Sequence, residues 1–330
     1  MGSILHGSLV NWSGNYLPLL LGMLAGCLLF SAHRRIGDEG ICPVTNTSNN
    51  IPPSSIGRKL RILCYINTFP RNYEAQAIHA QRTWARRCDR FYFTSTVRHS
   101  ELSVLVICKQ FYFSNRRTKL FVVINMTQPE IKRHLWVKMR KILREVYRQA
   151  DEYDYFFKAD DDAYAVIPNL RRFLISHNDP QEPVMWGYRW MKLCPGGFFS
   201  GGPGYVLTRT ALKRIVERAI DRHPDCPTTD EDKEDVKMCL CGQAVSVKLK
   251  DAKWKNRTDL FYPFNLTLRT DLMARNKLKA ILNRKQVSDS DLKSIKVDFS
   301  SAHVGFHYVK GTEMYIFEFL IYFLRPIGLD

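Results

Sequence analysis

Asp160, Asp161 and Asp162 stand in a row behind Tyr155-Phe156-Phe157-Lys158-Ala159. Three adjacent carboxylates repel one another unless a cation sits among them, and hard oxygen donors suit Mg²⁺ or Mn²⁺. Such a cation commonly partners a diphosphate, because few protein ligands leave the rest of its shell to phosphate and water. The alternatives are an exposed acidic turn or an Asp-rich cap on a helix over Ala163 to Leu174. Asp235 directly precedes the apolar Val236, Met238 and Leu240. A carboxylate at the positive end of a helix is held ionised, which suits a general base. The rest of the acidic run from Thr228 reads as a solvated loop. His307, between Phe306 and Tyr308, is either a packed core histidine or a metal ligand. Ser200-Gly201-Gly202-Pro203-Gly204 marks a tight loop where backbone approaches something closely, although alone it signals no more than a turn. Its spacing is not that of a dinucleotide fingerprint.

These residues need elements to position them. The aromatic run from Tyr153 predicts a strand buried on both faces, ending in the carboxylates at the carboxyl edge of a sheet. Strands are also expected at Lys59 to Thr68, Arg90 to Thr96, Ser103 to Ile107 and Leu120 to Asn125. Helices are expected over Tyr73 to Arg87 and around Ala211 to Ile220. Thr127 and Glu130 have the spacing of a capping box. The helix it would open puts Ile131, Leu135, Met139, Leu143 and Val146 on one face. Alternating strands and helices predict an α/β sandwich with a largely parallel sheet. Met314 to Leu324 is apolar but broken by Glu318, and too short to span a bilayer.

The chain has 330 residues and a net charge of +17, with basic residues spread along its length. Without a polybasic tract or a nucleic-acid motif, this charge reads as solvated surface and argues against nucleic acid. The nine cysteines form no paired CxxC pattern, so a structural zinc is poorly supported. Tyr16 to Ala32 carries no charge and approaches the length of a membrane span. It lacks a basic leader, so an uncleaved signal anchor is expected over a cleaved signal peptide. His33-Arg34-Arg35 would keep the remainder cytosolic by the positive-inside rule. The sequons at Asn46, Asn125, Asn256 and Asn265, and eight cysteines beyond the anchor, favour the opposite orientation. The expected organisation is a cytoplasmic tail at 1–15, an anchor at 16–33, a stem at 34–58 and a lumenal domain at 59–330.

The segments RILCYINT, RTWARRCDRFYF, DYFFKADDDAYAVIPNLRRFL, SGGPGYVLT, EDV and FHYV occur in that order, followed by MYIFEFLIYFLRP. Together they resemble glycosyltransferase family 31, and within it the core 1 β1,3-galactosyltransferases, over residues 59 to 327. The resemblance implies a GT-A fold (a Rossmann-like mixed sheet flanked by helices) and a single-pass type II Golgi membrane protein, compatible with a homodimer. It further implies UDP-galactose as donor, Mn²⁺ as cofactor, and GalNAc on Ser or Thr of glycoproteins as acceptor. By position, Asp162 and His307 match the metal ligands, and Asp160 and Asp161 their companions at the nucleotide-sugar. Asp235 matches the catalytic base. Arg82, Thr83 and Trp84 match a segment near the UDP site, and Gly201 and Gly202 join the substrate-binding set. Cys64 with Cys88, and Cys226 with Cys241, match positions that are disulfide-bonded in the family. One base and one leaving-group metal imply a single displacement with inversion. The chain departs from the family at Cys239, where a Gly is usual, and near Asp298-Phe299, where a Cys pair is usual. Lys277 to Lys296 is basic and polar where the family is aromatic. A fringe-like N-acetylglucosaminyl enzyme is the near alternative. A non-catalytic folding helper is the distant one, since the chaperone-like member of the family lacks the acidic triplet kept here.

Overall fold

The computed structural model describes residues 60–102, 104–105, 126–177, 179–255, 258–264 and 301–324. The expected tail, anchor and stem, the four sequons, the strand at Leu120 to Asn125 and the basic stretch Lys277 to Lys296 lie outside these residues. Among the described residues no helix is long and apolar enough to cross a membrane.

The strands are β1 (Ile62–Asn67), β2 (Arg90–Thr94), β3 (Val104–Leu105), β4 (Tyr155–Asp160), β5 (Tyr164–Ala165), β6 (Val184–Gly187) and β7 (Arg189–Trp190). They continue as β8 (Phe198–Phe199), β9 (Tyr205–Thr208), β10 (Lys248–Asp251), β11 (Lys253–Trp254), β12 (Thr258–Asp259), β13 (Phe261–Tyr262) and β14 (Gly305–Phe306). A seven-stranded sheet has the order β10-β6-β9-β4-β1-β2-β3. It is mixed but largely parallel, as expected: only β9 runs antiparallel, to both β4 and β6. The predicted acidic strand lies at its centre, parallel to β1, with Asn67 opposite Asp160.

β4 is buried on both faces, as its aromatic run predicts. Tyr155, Phe157 and Ala159 enter one core cluster and Phe156 the other. Burying each large ring stabilises by about 1.5–3 kcal/mol. By the same alternation Lys158 points with Phe156, into the core face that also holds Tyr65 and Tyr205.

Two local expectations fail for identifiable reasons. No capping box forms at Thr127. Glu130 instead accepts from Ser95 Oγ at 2.8 Å and Thr96 N at 3.0 Å, and its other oxygen lies 2.7 Å from Lys138 Nζ. A buried ammonium needs a carboxylate more than a helix end does. The helix therefore starts at Leu135 and runs to Tyr147, burying Leu135, Met139, Leu143 and Val146, while Ile131 is left exposed ahead of it. The expected helix over Tyr73 to Arg87 is broken into a wide turn (Tyr73–Ala77), an α-helix (Ile78–Arg82) and a 3-10 turn (Ala85–Arg87). Thr83 ends the middle piece, its hydroxyl donating back to the His79 carbonyl at 2.7 Å. The remaining helices that frame the site are Ile167–Ser176, Arg209–Arg214, Glu234–Ala244 and Glu313–Glu318. Since the triplet turns from β4 into β5 and the next helix starts only at Ile167, it is not a helix cap.

Candidate functional site

The three carboxylates diverge as β4 ends. Asp160 Oδ1 accepts from Lys158 Nζ at 2.8 Å and Asn67 Nδ2 at 3.4 Å. Asp161 turns into the protein, where its carboxylate accepts from Thr68 Oγ1 at 2.6 Å and Asn72 Nδ2 at 3.0 Å. Burial pushes its carboxyl up to about 7; the bonds from Thr68 and Asn72 oppose the rise, and the charges of Asp162 and Asp160 add to it. Asp162 is half-buried, and its carbonyl accepts from Val309 N at 2.8 Å.

Pairing of β14 with β5 sets Phe306 opposite Tyr164 and so carries His307 across to the acidic turn. His307 Nε2 lies 3.4 Å from Asp162 Oδ1, and its ring stacks on Tyr308 at 3.7 Å. Asp160, Asp162 and His307 each offer a ligand atom, all within 4.8 Å of one another. The glycine loop explains how the ring fits. A Cβ at Gly202 would overlap the His307 imidazole, and one at Gly201 would fall 2.7 Å from Glu234 Oε1 and 3.0 Å from Lys158 Nζ. Two carboxylates and an imidazole in a half-buried recess are a fitting donor set for a divalent cation of the Mg²⁺ or Mn²⁺ type.

Asp235 sits in the first turn of Glu234–Ala244. Its carboxylate accepts from Gly201 N at 3.2 Å and from its neighbour Val236 N at 2.9 Å. The expectation that this carboxylate is simply held ionised needs correction. Burial is the largest influence and raises its pKa above the usual range, against the lowering pull of Lys158 and the two backbone donors. A raised carboxyl is the better proton acceptor.

Under both groups lies a buried cluster that the sequence did not reveal. Lys158, fully buried, reaches Glu234 Oε1 at 2.7 Å, Asp160 Oδ1 at 2.8 Å and the Gly201 carbonyl at 3.1 Å. Burial works against its charge, but Asp160 and Glu234 outweigh it and hold the amine protonated. One ammonium between two carboxylates leaves one of them short of compensation, and burial pushes Glu234 up to about 7. The only available signal was a lysine inside an aromatic strand, where the two-residue alternation points it inward.

By sequence the chain is 29% identical over 292 residues to glycoprotein-N-acetylgalactosamine 3-beta-galactosyltransferase 1 of Xenopus laevis, covering 85% of this chain and 71% of that protein. The resemblance drawn from the motifs is thereby borne out. A shorter match, 34% identical over 94 residues, is to chondroitin sulfate synthase 3 of Homo sapiens, covering 26% of this chain and 10% of that protein. No protein-family model matches the chain. Among solved structures, a glycosyltransferase involved in glycosylation of the major capsid of PBCV-1 is similar at a TM-score of 0.32 and 13% identity, over 58% of this chain and 80% of that one. The glycosyltransferase GlyE of Streptococcus pneumoniae is similar at 0.33 and 10%, over 76% and 55%.

In this chain Asp160, Asp162, His307, Gly201, Gly202 and Asp235 converge through the Gly201-Gly202 loop. Arg82, Thr83 and Trp84 are placed differently. Trp84 is buried and its Nε1 donates to the Ala163 carbonyl at 2.8 Å, bracing the acidic turn from behind. Thr83 is turned back into its own helix, and Arg82 pairs with Glu101 at the surface at 2.9 Å. The two disulfides implied by the resemblance are both present, Cys64–Cys88 and Cys226–Cys241. The second ties the loop before Asp235 to the helix that carries it. Closing a loop of 15 residues contributes about 3 kcal/mol in the chain-entropy picture. Cys194 and Cys239 are free among the described residues.

Proposed function

We propose that this chain is an inverting, cation-dependent β1,3-galactosyltransferase with a GT-A fold. It transfers galactose from UDP-galactose to the 3-hydroxyl of GalNAc-α-Ser/Thr on glycoproteins. The observation that carries this reading is the convergence of Asp160, Asp162 and His307 within 4.8 Å of one another, with Asp235 held over the same glycine loop by Gly201 N. Galactosyl transfer to glycoprotein-bound N-acetylgalactosamine is the activity in the name of its Xenopus relative.

Asp162, Asp160 and His307 would hold Mn²⁺. When bound, that ion supplies Lewis-acid neutralisation of the charge that develops on departing UDP. Asp235 accepts the proton of the acceptor's 3-hydroxyl as that oxygen attacks the anomeric carbon. The Gly201 and Val236 N–H groups fix the carboxylate while leaving acceptor capacity on both oxygens. With a single base and no second carboxylate as nucleophile, the anomeric centre inverts.

The setting we propose is the Golgi lumen, with the protein anchored as a type II membrane protein through residues 16–33. Both disulfides fit an oxidising compartment. Endoglycosidase treatment of the expressed protein should increase its gel mobility. No shift, with full protease sensitivity in sealed microsomes, would put the domain on the cytosolic side.

Donor choice is tested by metal-dependent hydrolysis of a panel of UDP-sugars by the purified chain. UDP-galactose should be preferred. A preference for UDP-N-acetylglucosamine would favour a fringe-like enzyme instead, and no hydrolysis of any donor a folding helper.

A further inference from the structure

We infer that Lys158 is a positioning residue that fixes the cation cluster and the general base relative to each other; this rests on the transferase reading above. An ammonium has three donors, and Lys158 uses them on Asp160 Oδ1 at 2.8 Å, Glu234 Oε1 at 2.7 Å and the Gly201 carbonyl at 3.1 Å.

Each acceptor has a second task. Asp160 belongs to the cation cluster. Glu234 immediately precedes Asp235 at the start of its helix, and its other oxygen accepts from Tyr205 OH at 3.2 Å. Gly201 donates its N–H to Asp235 Oδ2 at 3.2 Å. One buried side chain thus joins β4, the glycine loop and the Glu234–Ala244 helix at the three points where they carry the chemistry. The absence of a side chain at Gly201 eases this approach, since a Cβ there would stand 2.7 Å from Glu234 Oε1 and 3.0 Å from Lys158 Nζ.

Stability does not account for such a cluster. A buried ion pair can often be replaced by apolar residues of similar volume at little cost to folding. What an apolar replacement cannot supply is a fixed link between the two reacting ends of the site. A displacement of about 1 Å at a reacting centre can cost about 10²-fold in rate.

The test uses the full chain with Mn²⁺, UDP-galactose and a GalNAc-peptide. It compares wild type with Lys158→Met and with the double variant Lys158→Met/Glu234→Gln, which removes one buried charge of each sign. Melting temperature, kcat, KM and the pH profile of kcat/KM are read for each. Lys158→Met should melt lower and lose about 10²-fold in kcat. The acidic limb of its profile should move to higher pH, because the ammonium beside Asp235 lowers that carboxyl. The double variant should regain the melting temperature but not kcat. Recovery of kcat in step with melting temperature would reduce Lys158 to scaffold and overturn the inference. Wild-type turnover in both variants would overturn it alone, leaving the transferase reading intact. A wild-type chain that transfers no sugar would overturn both.

Discussion

Gly202 and His307 are in such close contact that a Cβ on the glycine would overlap the imidazole. The ring reaches Asp162 Oδ1 at 3.4 Å only because that space is empty. Gly202→Ala should therefore displace His307 before it unfolds the domain. The expected outcome is at least a tenfold loss of Mn²⁺-supported UDP binding by calorimetry, with about 1–3 kcal/mol of destabilisation from overpacking. Wild-type UDP affinity in this variant would mean that His307 does not serve the cation site.

Asp162→Ala should abolish Mn²⁺-dependent UDP binding, since it removes an anionic ligand from the cluster of Asp160, Asp162 and His307. His307→Ala should weaken it less, because a neutral ligand leaves and both carboxylates stay. Unchanged Mn²⁺ and UDP affinity in Asp162→Ala would return the acidic turn to an ordinary surface turn.

Asp235→Asn keeps the size of the side chain but removes the proton acceptor. Loss of general-base assistance should lower kcat by about 10²–10⁴, with UDP-galactose affinity little changed. Asp232→Asn is the fitting control, because Asp232 is exposed and lies 3.5 Å from the likewise exposed Lys233. Glu231 is not, since it pairs at 2.6 Å with the buried Lys237. The base works only when ionised, and its pKa is raised by burial. The acidic limb of kcat/KM should consequently lie above the ordinary aspartate range and disappear in Asp235→Asn. A limb at the usual aspartate pKa would contradict the burial argument.

Glu130→Gln should destabilise the fold strongly. Glu130 and Lys138 are 2.7 Å apart with 4% and 1% of their side chains exposed, and removing one partner of such a pair costs about 3–5 kcal/mol. Urea denaturation would measure it. A loss below about 1 kcal/mol would mean that the pair is solvated after all.

Groups of unusual type or place were legible in the sequence. Three carboxylates ending an apolar strand, an aspartate beside a helix start and a histidine between two aromatics all stand out, and the fold brings all three features together. Lys158 and Glu234 were illegible because a lysine and a glutamate beside other charges look like solvated residues. Only the pairing of β4 with β1 and β9 closes the space around Lys158. Glu130 misled for the converse reason. Its spacing from Thr127 satisfies a local rule, but Lys138, in the next helix, offers it a stronger partner. The outward turn of Arg82 toward Glu101 depends on a tertiary contact that no short motif records.

The most direct test is the structure of the product. The purified chain should be incubated with UDP-galactose, a GalNAc-α-Thr peptide and Mn²⁺, and the product analysed by NMR. The account predicts one galactose, β-linked to the 3-hydroxyl of GalNAc, formed with Mn²⁺ and lost on chelation. An α-linked product, or transfer unaffected by removal of the cation, would contradict it.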